Sequence, residues 1–196
     1  MRNTDLQTLI DGLASAALFP PGEAADAAAH VFTALKSPGP ANAPPPPSNM
    51  PVLRYLEPAF EDASAGPGIV PVIATAVAAL APALPWYRRA DAARPEFENG
   101  HANAQIIGPN GLEVRDDVVI GVSLMAPGIQ YPDHQHPPAE VYVVMSDGEW
   151  RQEDGPWHRP GRGGLVFNPP NIVHAMRAGD TPLLAIWCLA PVPSPD

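Results

Sequence analysis

The sequence predicts a mainly β protein, a jelly roll or small antiparallel barrel with an α-helical N-terminal extension. Three observations carry that reading. From about residue 100 onward, short runs rich in Val, Ile, Leu and aromatic residues are punctuated by turn signals such as Gly108-Pro109, Pro127-Gly128 and Asp147-Gly148. Seven such runs occupy the region up to residue 189, and many short strands so closely spaced suit a jelly roll better than an open sheet. Before residue 100, apolar residues instead recur at helical spacing.

In chain order, Leu6, Leu9, Ile10, Leu13 and Ala17 share one helical face, and the alanine-rich stretch 24–36 is stopped by Ser37-Pro38-Gly39. Residues 38–51 contain Pro38, Pro40, Pro44 to Pro47 and Pro51. That stretch lacks the N–H donors for regular structure and is expected to run as an extended polyproline connector. Helices follow at 52–63 and 69–80, the second with Pro71 in its first turn, where a missing N–H costs little. Strands are expected at 104–107, 118–125, 140–145, 149–152, 164–167, 172–177 and 183–189. The domain reading is therefore a helical extension over 1–95, with the linker 38–51 inside it, and a β-barrel over 96–196.

Composition narrows the function classes. The net charge of −10 repels nucleic-acid backbones and anionic membrane surfaces. Cys188, the single cysteine, lies in an apolar run and can form no internal disulfide. The first residues carry Asp5 and Asp11 and no unbroken apolar run, the wrong layout for a signal peptide, and no segment has the roughly 18 apolar residues of a membrane span. A cytoplasmic protein, monomeric or homodimeric, is expected, without nucleic-acid or membrane partners.

The most informative stretch runs from Gly128 through Tyr131, His134, His136 and Glu140 to Tyr142, with His174 standing apart at a later strand. Residues 134, 136, 140 and 142 are all even-numbered, so an unbroken strand would turn them to one face, although Pro137-Pro138 can disturb that register. Two imidazoles and a carboxylate on a buried face cost several kcal/mol unless compensated. A divalent cation compensates them, and this donor set suits Zn, Fe(II), Mn, Co or Ni. A plainer reading, loop histidines beside a solvated glutamate, leaves Glu140, Tyr142 and His174 without a common reason. His30, His101 and His158 stand in an alanine-rich helix, near a strand start and in a polar turn, and are given no ligand role.

At these residues the chain resembles the cupin superfamily. Gly128, His134, His136 and Glu140 match its first motif in register, while Gly148 closes the motif one residue late. Gly163, Pro169 and His174 match the second, with Asn171 and Ala178 in place of its last glycine and its asparagine. Asn tolerates the positive φ of a turn glycine. The resemblance implies a cupin jelly-roll barrel holding one divalent transition metal, such as Zn, Fe(II) or Mn, on His134, His136, Glu140 and His174.

A narrower resemblance, over roughly residues 120–190, adds Tyr131-Pro132, Tyr142, Trp150 and the tail from His174 to Trp187. These look like the cupin-type dimethylsulfoniopropionate (DMSP) lyases, and the helical half resembles one branch of that family. The implied activity is a carbon–sulfur lyase that takes a zwitterionic small molecule, DMSP, to dimethyl sulfide and acrylate by β-elimination. Resemblance assigns Tyr142 as the base and as a displaceable metal ligand, and gives Tyr131 a supporting catalytic role. The sulfonium end calls for aromatic faces, with Tyr131, Trp187 and Trp150 as substrate-binding candidates and Trp157 and Phe167 behind them. Two other functions fit the same ligands: an Fe(II) dioxygenase acting on another small carboxylate, and a non-catalytic binding cupin.

Overall fold

A computed structural model describes residues 2–19 and 21–189. Five α-helices precede eight strands among these residues: α1 Thr4–Ala17, α2 Glu23–Ala34, α3 Leu56–Ser64, α4 Val70–Leu80 and α5 Pro95–Gly100. The strands are β1 His101–Ile107, β2 Val119–Met125, β3 Gln130–His134, β4 Glu140–Val144, β5 Glu149–Gln152, β6 Leu165–Asn168, β7 His174–Arg177 and β8 Leu183–Leu189. Residues 190–196 of the expected barrel region lie outside the described residues.

Local chemistry explains most boundaries. Asn3 caps α1, its side-chain oxygen accepting from the backbone N–H of Asp5 at 2.8 Å and of Leu6 at 3.2 Å. Pro71 stands in the first turn of α4, where no intrahelical donor is lost. The expected helix at 52–63 is divided, a 3-10 turn over Pro51–Tyr55 leading into α3. Residues 38–50 form no helix and one isolated bridge at Ala41, and their start is pinned, because Asn42 N–H donates to Leu112 and Val114 N–H donates to Pro40. No helix among the described residues is long and apolar enough to cross a membrane.

The strands form two antiparallel sheets, ordered β1-β2-β8-β4-β6 and β3-β7-β5. They face each other as a jelly-roll sandwich with a helical N-terminal extension; the two are hydrogen-bonded separately, not into one closed barrel. The larger sheet is buried on both faces, which is why β4 and β8 read as nearly continuous apolar runs. One face packs on α1 to α4 through Val141, Val143, Leu184 and Ile186, and the other meets the smaller sheet through Tyr142, Val144, Trp187, Trp150 and Met176. Two elements were not expected. The short α5 is opened by Pro95, and β3 has the sequence Gln-Tyr-Pro-Asp-His, whose proline and scant apolar content hide a strand.

Candidate metal and substrate site

Three segments converge on one end of the sandwich. His134 closes β3 and pairs across the ladder with His174, the first residue of β7. Glu140 opens β4 in the other sheet, opposite Asn168 of β6. His136 belongs to the connection between β3 and β4, held by the N–H of Asn171 donating to its carbonyl at 2.9 Å. The disturbance that Pro137-Pro138 could cause is realised: the pair interrupts the ladder, β4 begins at Glu140 where a strand was expected, and the chain crosses from one sheet to the other between His134 and Glu140. The side chains still meet, brought together by the turn between sheets and not by alternation along a strand. Asn171 takes φ 62°, while Gly128 and Gly163 take φ 73° and 79°, so Asn does serve in a left-handed turn position.

One ligand atom each from His136, Glu140 and His174 lies within 4.8 Å of the others. Their chemistry is unusual for a site without a cation. The Nδ1 atoms of His134, His136 and His174 sit 2.9, 2.9 and 3.0 Å from the carbonyls of Pro132, Pro138 and Ile172. A carbonyl only accepts, so each Nδ1 carries the hydrogen, and in the neutral ring each Nε2 offers a lone pair. His136 Nε2 and His174 Nε2 face Glu140 Oε2 at 3.4 and 3.3 Å. Acceptors thus face an acceptor, and His174 Nε2 is buried with no hydrogen-bond partner. A positive charge among these atoms, a proton or a metal ion, removes the repulsion.

The electrostatics agree. Burial works to raise the pKa of Glu140, but the two imidazoles beside it prevail and hold it down to about 2. His134 is lowered to about 4, first by burial and then by the neighbouring His174. His136 is raised by its contact with Glu140 against the opposing effect of burial. Asn168 is fully buried and donates through Nδ2 to Glu140 Oε2 at 2.9 Å, while its own Oδ1 accepts from Gln152 at 2.8 Å. Such an outer partner fixes the orientation of a ligating carboxylate. Its position at a strand end followed by Pro169-Pro170 reads in sequence as a turn residue, so no sequence signal pointed to it.

A cavity of about 170 Å³ opens beside the cluster, lined by residues that include Tyr87, Asn103, Tyr131, His134, Tyr142 and Trp187. That is the volume of roughly six water molecules, a site for a small ligand. Larger clefts of about 560 and 680 Å³ lie among the helices and the Pro-rich segment, and neither gathers histidines. Tyr142 and Trp187 are direct cross-strand partners on β4 and β8. Burial, and next the Glu140 carboxylate, push the Tyr142 phenol well above its usual pKa, and burial raises Tyr131 as well. Tyr131 and Trp187 both line the cavity.

Other candidates fall elsewhere. Trp150 is 1% exposed and lies behind Tyr142 with ring centroids 6.1 Å apart, so it packs the core and does not line the cavity. Trp157 is covered by the guanidinium groups of Arg151 and Arg177, 5.0 and 4.3 Å from its ring. Phe167 packs on the helix-side core. His134 stands beside the three-residue cluster, its ring 4.1 Å from that of His174, but is not one of the group sharing the 4.8 Å limit. His30 and His158 are exposed, and His101 is satisfied by Phe97 and Arg89.

A jelly-roll sandwich carrying imidazoles and a carboxylate between its sheets defines a cupin. The chain belongs to the dimethylsulfoniopropionate lyase family, whose sequence model matches residues 23–185. It is 29% identical over 135 residues, 69% of this chain and 56% of the other, to the Cereibacter sphaeroides protein named as the dimethylsulfoniopropionate lyase DddL. It is 35% identical over 92 residues, 46% of each chain, to dimethylsulfoniopropionate lyase DddQ of Ruegeria pomeroyi. The chain spans about half the length of the curated relatives it matches. In fold it is similar to a chain from the crystal structures of the DMSP lyases RdDddP and RnDddQII, with TM-score 0.69, 22% identity and coverage of 98% and 95%. DddQ of Ruegeria pomeroyi DSS-3 gives TM-score 0.59 at 21% identity, covering 100% of this chain and 95% of that one.

Proposed function

We propose that this protein cleaves DMSP to dimethyl sulfide and acrylate by a metal-dependent β-elimination, with residues 96–196 carrying the site and residues 1–95 acting as a helical extension. The observation that carries the metal dependence is the buried, unpartnered His174 Nε2 facing the Glu140 carboxylate at 3.3 Å. A buried nitrogen lone pair against a carboxylate is costly until a cation joins them. His136, Glu140 and His174 would hold one divalent transition ion, Zn, Fe(II) or Mn, with His134 and Tyr142 adjacent as further ligands. When bound, the ion supplies a Lewis-acidic charge that stabilises negative charge developing next to the substrate carboxylate.

The residues of the chain divide the remaining work. Tyr142, as phenolate, takes a proton from the carbon bearing the carboxylate. The electron pair left there forms the C=C bond of acrylate, the C–S bond breaks with its pair on sulfur, and neutral dimethyl sulfide departs. Tyr142 then returns its proton to water, so no oxidant or reductant is consumed. Without added positive charge, burial and Glu140 keep this phenol protonated. The base role therefore depends on the cluster being loaded. Trp187 offers an aromatic face to the sulfonium, an attraction worth about 0.5 to 2 kcal/mol, and Tyr131 borders the same cavity.

Headspace detection of dimethyl sulfide from purified protein supplied with DMSP and each divalent metal in turn tests the proposal. Release under anaerobic conditions with at least one metal is expected. No dimethyl sulfide with any metal removes the lyase activity, and oxygen uptake with iron dependence moves the function to the dioxygenases.

A further inference from the structure

Two buried polar side chains of the cavity lining, Asn103 and Ser123, hold positions the elimination scheme does not use. Trp187 Nε1 is 3.1 Å from Ser123 Oγ, Ser123 Oγ is 2.7 Å from Asn103 Oδ1, and Asn103 Nδ2 is 3.5 Å from the Tyr131 hydroxyl. Asn103 and Ser123 are 5% and 3% exposed and stand directly opposite each other on β1 and β2. Trp187 reaches them because Gly121 leaves room: a Cβ there would lie 2.1 Å from the indole. Ser123 interrupts an otherwise apolar β2, Asn103 stands between His101 and Gln105 on one face of β1, and each buried polar group needs a reason for being there.

The direction of the chain follows from elementary hydrogen-bond chemistry. The indole N–H can only donate, so Ser123 Oγ accepts from Trp187. The hydroxyl hydrogen of Ser123 then needs an acceptor, and Asn103 Oδ1 lies 2.7 Å away. That fixes the amide: its oxygen faces Ser123 and its NH₂ faces Tyr131. An NH₂ group offers no acceptor, so the Tyr131 hydrogen cannot turn back toward Asn103, however long their contact. Tyr131 lines the cavity, and its hydrogen is left to point there.

We propose that Asn103 and Ser123 are positioning residues that hold Tyr131 as a hydrogen-bond donor to the acceptor group of the bound small molecule, the carboxylate of DMSP if the lyase reading above is correct. The assignment separates the two tyrosines of the site. Tyr142 handles the proton, and Tyr131 orients the substrate without exchanging one.

The test reverses the relay. Asn103→Asp puts an acceptor where the NH₂ group stood and draws the Tyr131 hydrogen away from the cavity. Ser123→Ala removes the hydrogen that fixes the amide and frees Asn103 to flip. Either variant should raise KM for DMSP about tenfold, the worth of one hydrogen bond, with kcat changed less than about twofold. In a Tyr131→Phe background each should add less than about twofold, because the effect passes through the missing hydroxyl. An unchanged KM in both single variants, or effects that multiply with Tyr131→Phe, overturns the proposal. A second readout does not need turnover: exchange of the Tyr131 hydroxyl proton, followed by NMR on protein with ¹³Cζ-labelled tyrosine. Exchange should be fast in the parent protein and slowed in Asn103→Asp, and equal rates overturn the relay. If the parent releases no dimethyl sulfide, the lyase reading fails, and the exchange rates still decide the relay.

Discussion

On the helix side of the five-stranded sheet, Val141 and Val143 of β4 meet Leu184, Ile186 and Cys188 of β8, while on the opposite side the alternate residues Tyr142 and Trp187 pair beneath the cavity. The same two strands thus build an aliphatic core and a reactive wall one residue apart. The helix side is satisfied by shape and burial, each large side chain contributing about 1.5 to 3 kcal/mol. The inner side carries Glu140, Ser123, Asn103, His174 and Asn168, all buried, and each must be matched by a partner of the right polarity. Both faces bury apolar side chains, and the inner one also bears polar groups that a ligand can match.

That contrast can be broken by substitutions on neighbouring residues. The largest effect is expected for Tyr142→Phe, with kcat for dimethyl sulfide release falling about 10²- to 10⁴-fold, the usual weight of a general base, while thermal unfolding and metal content stay near the parent values. Unchanged turnover would remove Tyr142 as the base. On the other face, Ile186→Ala opens a cavity among fully buried side chains and should cost about 2 to 5 kcal/mol in denaturant unfolding, with no loss of bound metal. A drop in metal affinity there would mean the two faces are coupled. Asn168→Leu removes the donor that steadies Glu140 and should weaken metal binding about 10- to 100-fold in a competition titration.

The smallest effect concerns the junction between the N-terminus and the β region. Glu113 is buried, accepts from Arg2 Nε at 2.6 Å and from the N–H of Gly39 at 2.9 Å, and contacts Arg115. Burial works to raise its pKa, but the Arg2 and Gly39 donors bring it below the ordinary value. A depressed folded pKa contributes stability above the unfolded value, about 4.3, and loses it as pH falls through the folded value. Glu113→Gln should cost about 1 to 3 kcal/mol at pH 7, and the difference from the parent should shrink on acidification below about pH 4. A gap that is constant with pH would show that the carboxylate charge is not what matters.

Much of this was legible in the sequence, and the exceptions have physical causes. β2, β4 and β8 are apolar runs bounded by turns, and they lie where such runs predict. The histidines and Glu140 carry a chemistry that does not depend on the strand beneath them, so their meeting was foreseeable although Pro137-Pro138 breaks the ladder between them. β3 was hidden because Tyr131-Pro132-Asp133 has neither alternation nor a free run of donors. Trp150 was misplaced because a tryptophan after a tight turn looks the same whether it lines a cavity or fills a core. Ser123 had a signal, a single polar residue inside the apolar run of β2, whereas Asn103 follows the His101-Asn103-Gln105 alternation of β1 and reads as an ordinary polar face; their partner Trp187 is distant in sequence and only the sheet brings them together.

Donors from β4, β7 and the connection after β3 are expected to share one cation. Dialysis of the full chain against a divalent metal at neutral pH, with elemental analysis of the parent and of His174→Ala, reads this directly. One ion per chain in the parent and a sharp loss in the variant are expected. A parent that takes up no ion, or a variant that keeps its full complement, would contradict it.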